Sequence, residues 1–468
     1  MEANLPDNTD VFIPGETVAD PPVLADIAGA TRAAIEHPLG LAPLSAQVKA
    51  GSKVAIVFPD KVKGGFQADS HRKVSIPIII EECLRAGANE RDIKLICSNG
   101  LHRKNTKEEL RSILGPALFD RFWGRGQIVN HDSEDWDNLV DLGCESQYGA
   151  PVIMNREVFE ADVAVLVGHA LGNPYGGYSG GYKHCATGIT HWRSIGSHHS
   201  PEVMHRPDFV PVSTHSLMRS KFDAIGRHME LRMGKPFFTV DAVLDTASRQ
   251  IGVYAGAADL VQQACWELAD RRTYVKWAKR TYDVMVIGMP RSFHYGDGMG
   301  TNPILMLQAI SAQIIRHQRV LSDHPVVICS SVCDGYFHDE EFPAYREVYG
   351  LFQRDRAATL PDVEKFGEAL SRDQRYIDAY RYRYGYHPFH AFSMISCGHI
   401  AEQRCAAIYI VGAKEPGYAR AMGMKTRATF EEALADARKY TGPDAAILAL
   451  PKAFKTASVH LCMATDRS

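Results

Sequence analysis

The sequence predicts an α/β protein of two doubly wound domains with an active-site cleft between them. Three observations carry this. Short apolar runs recur along the 468 residues, amphipathic stretches separate them, and the length exceeds what a single core usually serves. Apolar runs of this length, bounded by Gly, Pro or Asp, suit parallel strands buried on both faces. Strand–helix alternation then builds parallel sheets with helices on either side.

Strands are expected at 53–58 (KVAIVF), 93–98 (IKLICS), 161–167 (ADVAVLV), 283–288 (DVMVIG), 325–330 (PVVICS), 406–411 (AAIYIV) and 445–450 (AAILAL). Helices are expected at 78–86 and 429–440 (TFEEALADARKY). In the segment NTKEELRSIL, Asn105 reads as a helix cap, with Glu108 completing a capping box. The charged stretch 271–281 (RRTYVKWAKRT) reads as a hinge helix. It separates an N-terminal domain, 1–272, from a C-terminal domain, 278–468. Residues 337–390 are rich in Tyr, Arg and Asp, and their pattern assigns no clear elements.

Composition narrows the function. Hydrophobic residues are 45% and charged residues 23%, as in ordinary globular proteins. A net charge of −3 gives no basic footprint for nucleic acid. No apolar run approaches the length of a membrane span, and the N-terminus MEANLPDNTD has no signal-peptide pattern. The ten cysteines form no CxxC pair, so buried free thiols and a cytoplasmic location are expected.

In open α/β sheets, ligands bind beyond the carboxyl ends of strands. Two such ends stand out. One is Asn99-Gly100-Leu101-His102-Arg103. The other is 168–200, GHALGNPYGGYSGGYKHCATGITHWRSIGSHHS, where six glycines precede the single lysine, Lys183. Glycines let backbone approach a ligand, and successive N–H groups make an anion nest. The Walker pattern is absent because Tyr182 separates Gly181 from Lys183, and no GxGxxG opens a helix. His198-His199 follows, and a neutral imidazole suits nickel or zinc. A capping or surface His pair and a plain flexible loop stand as the bland alternatives.

The run Gly177-Tyr178-Ser179-Gly180-Gly181-Tyr182-Lys183 resembles the Gly-aromatic-Ser-Gly-Gly-x-Lys signature of the nickel-dependent lactate racemase family. His199 stands sixteen positions after Lys183, and Gly188-Ile189 matches the intervening Gly-Ile. Asn99–Arg103 resembles the family's Thr-Gly-Leu-His-Arg loop. The segment 131–143, with Pro151-Val152, and the ending 421–450 also follow the family pattern, so the resemblance spans roughly residues 40–455.

The resemblance implies a racemase or epimerase of a small 2-hydroxy acid, with residues 1–272 as the cofactor-binding catalytic domain. It implies nickel and a pyridinium-3,5-bisthiocarboxylic acid mononucleotide, the nickel-pincer nucleotide. Lys183 would hold that cofactor covalently as a thioamide, and His199 would ligate the nickel. Ser179, Gly180, Gly181 and Asp60 would contact the cofactor, and His102 would be the proton-transfer base. Such chemistry suits the substrate. Forming a carbanion beside a carboxylate is difficult, whereas hydride removal from Cα, with loss of the hydroxyl proton, gives a planar 2-keto acid. Returning the hydride to the other face inverts the centre.

The chain departs from the family in several places. Where lactate racemases carry a second catalytic histidine, Asn173 stands here, and Asn is no base near neutral pH. His169 and Tyr175 are the nearby substitutes. The family's Asp-x-x-Arg element reads Asp60-Lys61-Val62-Lys63, which leaves Lys63 and Arg72 as candidates for the substrate carboxylate. Gln308 resembles a family glutamine that reaches the cleft, but the lysine three positions on is Ser311. Pro174 and Tyr175 replace two aromatic residues, which points to a hydroxy acid larger than lactate. Two rival readings remain. One is a zinc-dependent hydrolase using His184, Cys185, His198 and His199. The other is a non-catalytic cofactor-binding protein.

Overall fold

The computed structural model describes residues 3–63, 71–205, 214–355, 360–457 and 459–465. Two six-stranded sheets dominate it. The first orders its strands Gln250–Ala257, Phe238–Leu244, Val163–Ala170, Val54–Pro59, Ile93–Ser98 and Ile128–Asn130. Every neighbouring pair is parallel except the first, which is antiparallel. The second orders Thr9–Val11, Ile447–Leu450, Tyr282–Gly288, Leu321–Ser330, Ala407–Val411 and Lys425–Arg427, all parallel.

The two parallel sheets expected from the apolar runs are therefore present. Val54–Pro59 and Val163–Ala170 are buried along their whole length, because helices cover both faces. The chain's start joins its end: Thr9–Val11 adds an edge strand to the second sheet beside Ile447–Leu450.

Three local expectations need correction. The helix Lys107–Leu114 is capped by Thr106 with Glu109, not by Asn105 with Glu108. The Asn105 side chain is engaged elsewhere, accepting from the Lys61 N–H and donating to Cys97 Sγ and Asn130. The stretch 271–281 is no hinge helix. The helix Ala258–Thr273 ends inside it, and Tyr274–Ala278 continues as a strand paired with His460–Met463. The strand Phe238–Leu244 was not anticipated, because Asp241 interrupts its apolar run.

The unplaced region 337–390 contains the helices Tyr345–Asp355, Leu360–Ser371 and Gln374–Tyr382 and leads into Pro388–Arg404. That last helix packs along Pro303–His317. Pro303–His317 is buried on nearly every side, as a helix apolar all round must be. Asn302 caps it by accepting from the Ile304 N–H at 3.1 Å, and Pro303 sits at its first turn, where a missing N–H costs nothing. All ten cysteines are free thiols; Cys144 is exposed and Cys405 half-buried, and the other eight are buried. Among the described residues, no helix is long and apolar enough to cross a membrane.

Candidate active site

The two strand ends singled out in the sequence open onto one cavity of about 610 Å³, lined by residues from both halves of the chain. The first contribution is a carboxylate–imidazole pair. Asp60 ends the strand Val54–Pro59, and His102 lies in the loop after Ile93–Ser98. His102 Nδ1 sits 2.7 Å from Asp60 Oδ2. With Nδ1–H donated to the carboxylate, Nε2 keeps its lone pair. Burial pushes the His102 pKa down and outweighs Asp60, which pulls it up. Burial also works to raise Asp60, but His102, Lys63 and Arg72 hold its carboxyl below the ordinary value. Asp60, read from the sequence as a cofactor contact, thus stands behind His102.

Gly100 brings this loop against the lysine helix. Its φ is +53°, and a Cβ there would lie 2.2 Å from Thr187 O. Its N–H donates to Gly188 O at 3.1 Å. Any side chain would push His102 away from Lys183.

Lys183 lies in the first turn of the helix Gly181–Gly188, behind Gly180 with φ +82°. The expected anion nest already has an occupant. The Gly181 N–H donates to Asp241 Oδ2 at 2.8 Å, and the Tyr182 N–H donates to Gln262 Oε1 at 2.8 Å. A Cβ on Gly180 would approach Asp241 Oδ2 to 2.4 Å. These glycines therefore let the backbone close on a carboxylate of the protein itself. Burial raises the Asp241 pKa to about 7 against the Gly181 and Gly168 N–H donors. Ser179 fastens the loop to the strand end, its hydroxyl donating to His169 O at 2.7 Å.

The Lys183 ammonium is buried without a hydrogen bond or ion pair among the described residues, 5.9 Å from the Phe222 ring centre. Burial, then Lys63 and Arg219, drive its pKa well below that of a free lysine. The shift favours the neutral, nucleophilic form of the amine. His199 faces the same cavity. Its Nδ1 lies 2.6 Å from Nδ1 of His198, whose Nε2 bonds Ala186 O at 3.3 Å. His198 therefore donates from Nε2 and accepts at Nδ1. His199 must donate from Nδ1, which leaves its Nε2 lone pair open. A histidine fixed in one tautomer by its second nitrogen is the usual form of a metal ligand.

The remaining candidates divide. Lys63 lines the cavity. Arg72 lies behind it, its Nη1 donating to Pro59 O and Asp60 O at 2.7 and 2.9 Å. Gln308 lines the cavity, with Nε2 3.4 Å from Tyr175 OH and Oε1 unpartnered. Asn173 also lines it, but its side-chain oxygen accepts from the Tyr175 and Gly176 N–H groups and shapes a turn. His169 is buried at the cavity wall.

Sequence reading missed what the second half contributes. His390, on the helix Pro388–Arg404, lines the cavity with its ring centre 5.6 Å from that of His102. Its Nδ1 lies 2.6 Å from Tyr345 OH, and its Nε2 is buried and unpartnered. His294 and Tyr295 close the same side. The only sequence signal was the pair His387 and His390 in His-Pro-Phe-His, with no spacing that ties them to Lys183.

The cavity wall carries Lys61, Lys63, Lys183, Arg316 and Lys455 and, among the described residues, no Asp or Glu. It is built for anions. The zinc reading finds most of its donors committed elsewhere, His184 Nδ1 and His199 Nε2 excepted. His184 Nε2 lies 2.5 Å from Ser98 Oγ, Cys185 Sγ contacts Tyr182 O, and both His198 nitrogens are bonded. Among the described residues, no three His, Cys, Asp or Glu side chains are grouped to hold a metal. An amine free to acylate, beside one open imidazole nitrogen, fits a metal carried by a lysine-bound cofactor.

Residues 2–209 match the lactate racemase N-terminal domain family. A lactate racemase of Lactiplantibacillus plantarum is 27% identical over 226 residues, 47% of this chain and 49% of its own. A lactate racemase of Thermoanaerobacterium thermosaccharolyticum is 23% identical over 228 residues, 48% of this chain and 50% of its own. The aligned region thus spans about half the length of either relative. The lactate racemase apoprotein structure from Thermoanaerobacterium thermosaccharolyticum superposes with a TM-score of 0.71 at 18% identity, covering 98% of this chain and 96% of that one. A crystal structure from Thermotoga maritima gives 0.58 at 14% identity, covering 95% and 99%. These likenesses speak for the same fold.

Proposed function

We propose that the chain, whose residues 2–209 match the lactate racemase N-terminal domain family, racemises or epimerises a 2-hydroxy acid. The observation that carries this reading is the Asp60–His102 pair facing an unpartnered, buried Lys183 across one cationic cavity. A protein that only carried the cofactor would need no oriented base.

In this reading Lys183 holds a nickel-pincer nucleotide through its amine, and His199 ligates nickel through Nε2. When bound, that group supplies an electrophilic carbon that keeps the Cα hydride between departure and return. The chain does the rest. Lys63 pairs with the substrate carboxylate, and the Gln308 side chain binds its polar end. His102 Nε2 takes the hydroxyl proton as the hydride leaves Cα. Asp60 fixes the imidazole tautomer and stabilises the charge that His102 gains. The product is a planar 2-keto acid. On reduction at the opposite face, the oxygen would regain its proton from a cavity imidazole, His102 or His390.

His390 is the second proton carrier in this reading. Asn173 cannot take that role, because its oxygen is bonded to backbone. Of the cavity histidines, His390 is the one whose ring meets that of His102 and whose Nε2 is buried and unpartnered. Tyr345 orients it at Nδ1.

Chiral analysis of reactions run in deuterium oxide tests both parts. A pure enantiomer of a 2-hydroxy acid should racemise while keeping its Cα protium, since a hydride never meets solvent. Deuterium at Cα would mean carbanion chemistry and would sink the reading. His390→Gln should lower kcat/KM equally in both directions, as the equal stability of two enantiomers requires, whereas His169→Gln should leave it unchanged.

A further inference from the structure

The Pro303–His317 helix presents Gln308, Ala309, Ala312, Gln313 and Arg316 to the cavity. These positions share one helical face. Gln308 and Arg316 are eight residues apart, so their Cα atoms lie about 12 Å apart along the axis. The two alanines between them leave the wall open. The cavity therefore continues well past the reacting end.

Arg316 is the unusual group there. Its Nε is buried without a hydrogen-bond partner, and its guanidinium has no ion pair among the described residues. A half-buried guanidinium left without a counter-charge is costly, and proteins normally satisfy it with a carboxylate or phosphate. Burial brings its pKa to about 10, with Tyr175 working to raise it and Arg272 to lower it. It therefore stays charged at neutral pH. Lys455, Thr456 and Ser248 line the same cavity. His460, whose pKa feels the charge of Arg316, has Nε2 buried and unpartnered, and it lies 3.5 Å from where a Cβ on Gly172 would be. No carboxylate of the described cavity wall neutralises this end.

We propose that the Arg316 end of the cavity is an anion subsite for the distal acidic group of the substrate. The substrate is then a 2-hydroxy acid with a second carboxylate or a phosphate at its far end. This rests on the racemase reading for the identity of the reacting end. Lactate is too short and lacks the second anion. The planar guanidinium can grip a carboxylate or phosphate through two parallel hydrogen bonds. The same chemistry would also accept the phosphate of a bound mononucleotide, so the test must separate the two sources.

The test is calorimetric titration of the cofactor-free full chain, wild type and Arg316→Met, with three probes. They are 2-hydroxyglutarate, its monocarboxylate counterpart 2-hydroxyvalerate, and nicotinic acid mononucleotide. Wild type should bind 2-hydroxyglutarate at least about tenfold more tightly than 2-hydroxyvalerate. Arg316→Met should abolish that preference and leave mononucleotide binding intact. Equal affinities of wild type for the two acids, weak or strong, would overturn the proposal. So would a variant that loses the mononucleotide and keeps the preference, because Arg316 would then serve the cofactor's phosphate. Binding is read without turnover, so failure of the racemase reading would not disguise either result. Thermal melting of the variant checks that it is folded.

Discussion

Lys183→Ala, co-produced with the enzymes that build the pincer cofactor, is expected to purify without adduct, without nickel and without activity. Wild type should carry all three. Intact mass and metal analysis read the first two independently of any substrate. The physical reason lies in the state of the amine. Lys183 is buried, unpaired, and repelled by Lys63 and Arg219, so its pKa falls well below the lysine range. At neutral pH a lysine whose folded pKa lies below its unfolded value costs the fold free energy, whether it stays charged or sheds its proton. The cost disappears only as pH rises towards the unfolded value. Removing it should not destabilise the cofactor-free protein, and the Lys183→Ala melting temperature should equal or exceed that of cofactor-free wild type. This separates loss of the anchor from loss of fold. Nickel and an unchanged adduct mass on the variant would place the covalent link elsewhere.

How much of this was legible in the sequence follows from how far apart the partners lie. Lys183 and His199 lie sixteen residues apart in one stretch, and His102 lies in the loop just after a single strand, so local motifs were enough to find them. The Thr106–Glu109 capping box lay one residue from an equally good Asn105–Glu108 pair. Tertiary bonds decided between them, because Asn105 is drawn to Lys61, Cys97 and Asn130, while Glu109 also binds Arg103 and Lys61. Asp241 hid its strand by putting a carboxylate among Val240, Ala242 and Val243, and that carboxylate caps the lysine loop. Its partner Gly181 lies 60 residues earlier. His390 and Arg316 were out of reach for the same reason in stronger form. They meet His102 and the cavity only because two buried helices of the second half pack together beside the first sheet's strand ends. No period or spacing within their own segments announces that approach.

His102→Gln should retain the adduct and its nickel yet lose turnover by about 10²–10⁴-fold, the usual weight of a positioned general base. Glutamine keeps a polar side chain of similar reach but cannot accept a proton. The pH profile of wild type gives the matching signature. Burial sets the His102 pKa below the ordinary value of 6.5, and Asp60 only partly restores it. The residue is therefore already a free base at neutral pH. Its rate contribution should persist below pH 6.5 and fall only as pH drops through the depressed pKa. Asp60→Asn removes the group that raises that pKa and also holds Nδ1–H. The acid limb should then move to still lower pH, with a reduced rate at every pH because the tautomer is no longer fixed. Lys63 and Lys183 work against Asp60 in this balance, since each lowers the His102 pKa further. An acid limb that stayed in place in Asp60→Asn would mean that another group titrates, and the cavity's other free imidazoles, His169 and His390, would be the next to replace.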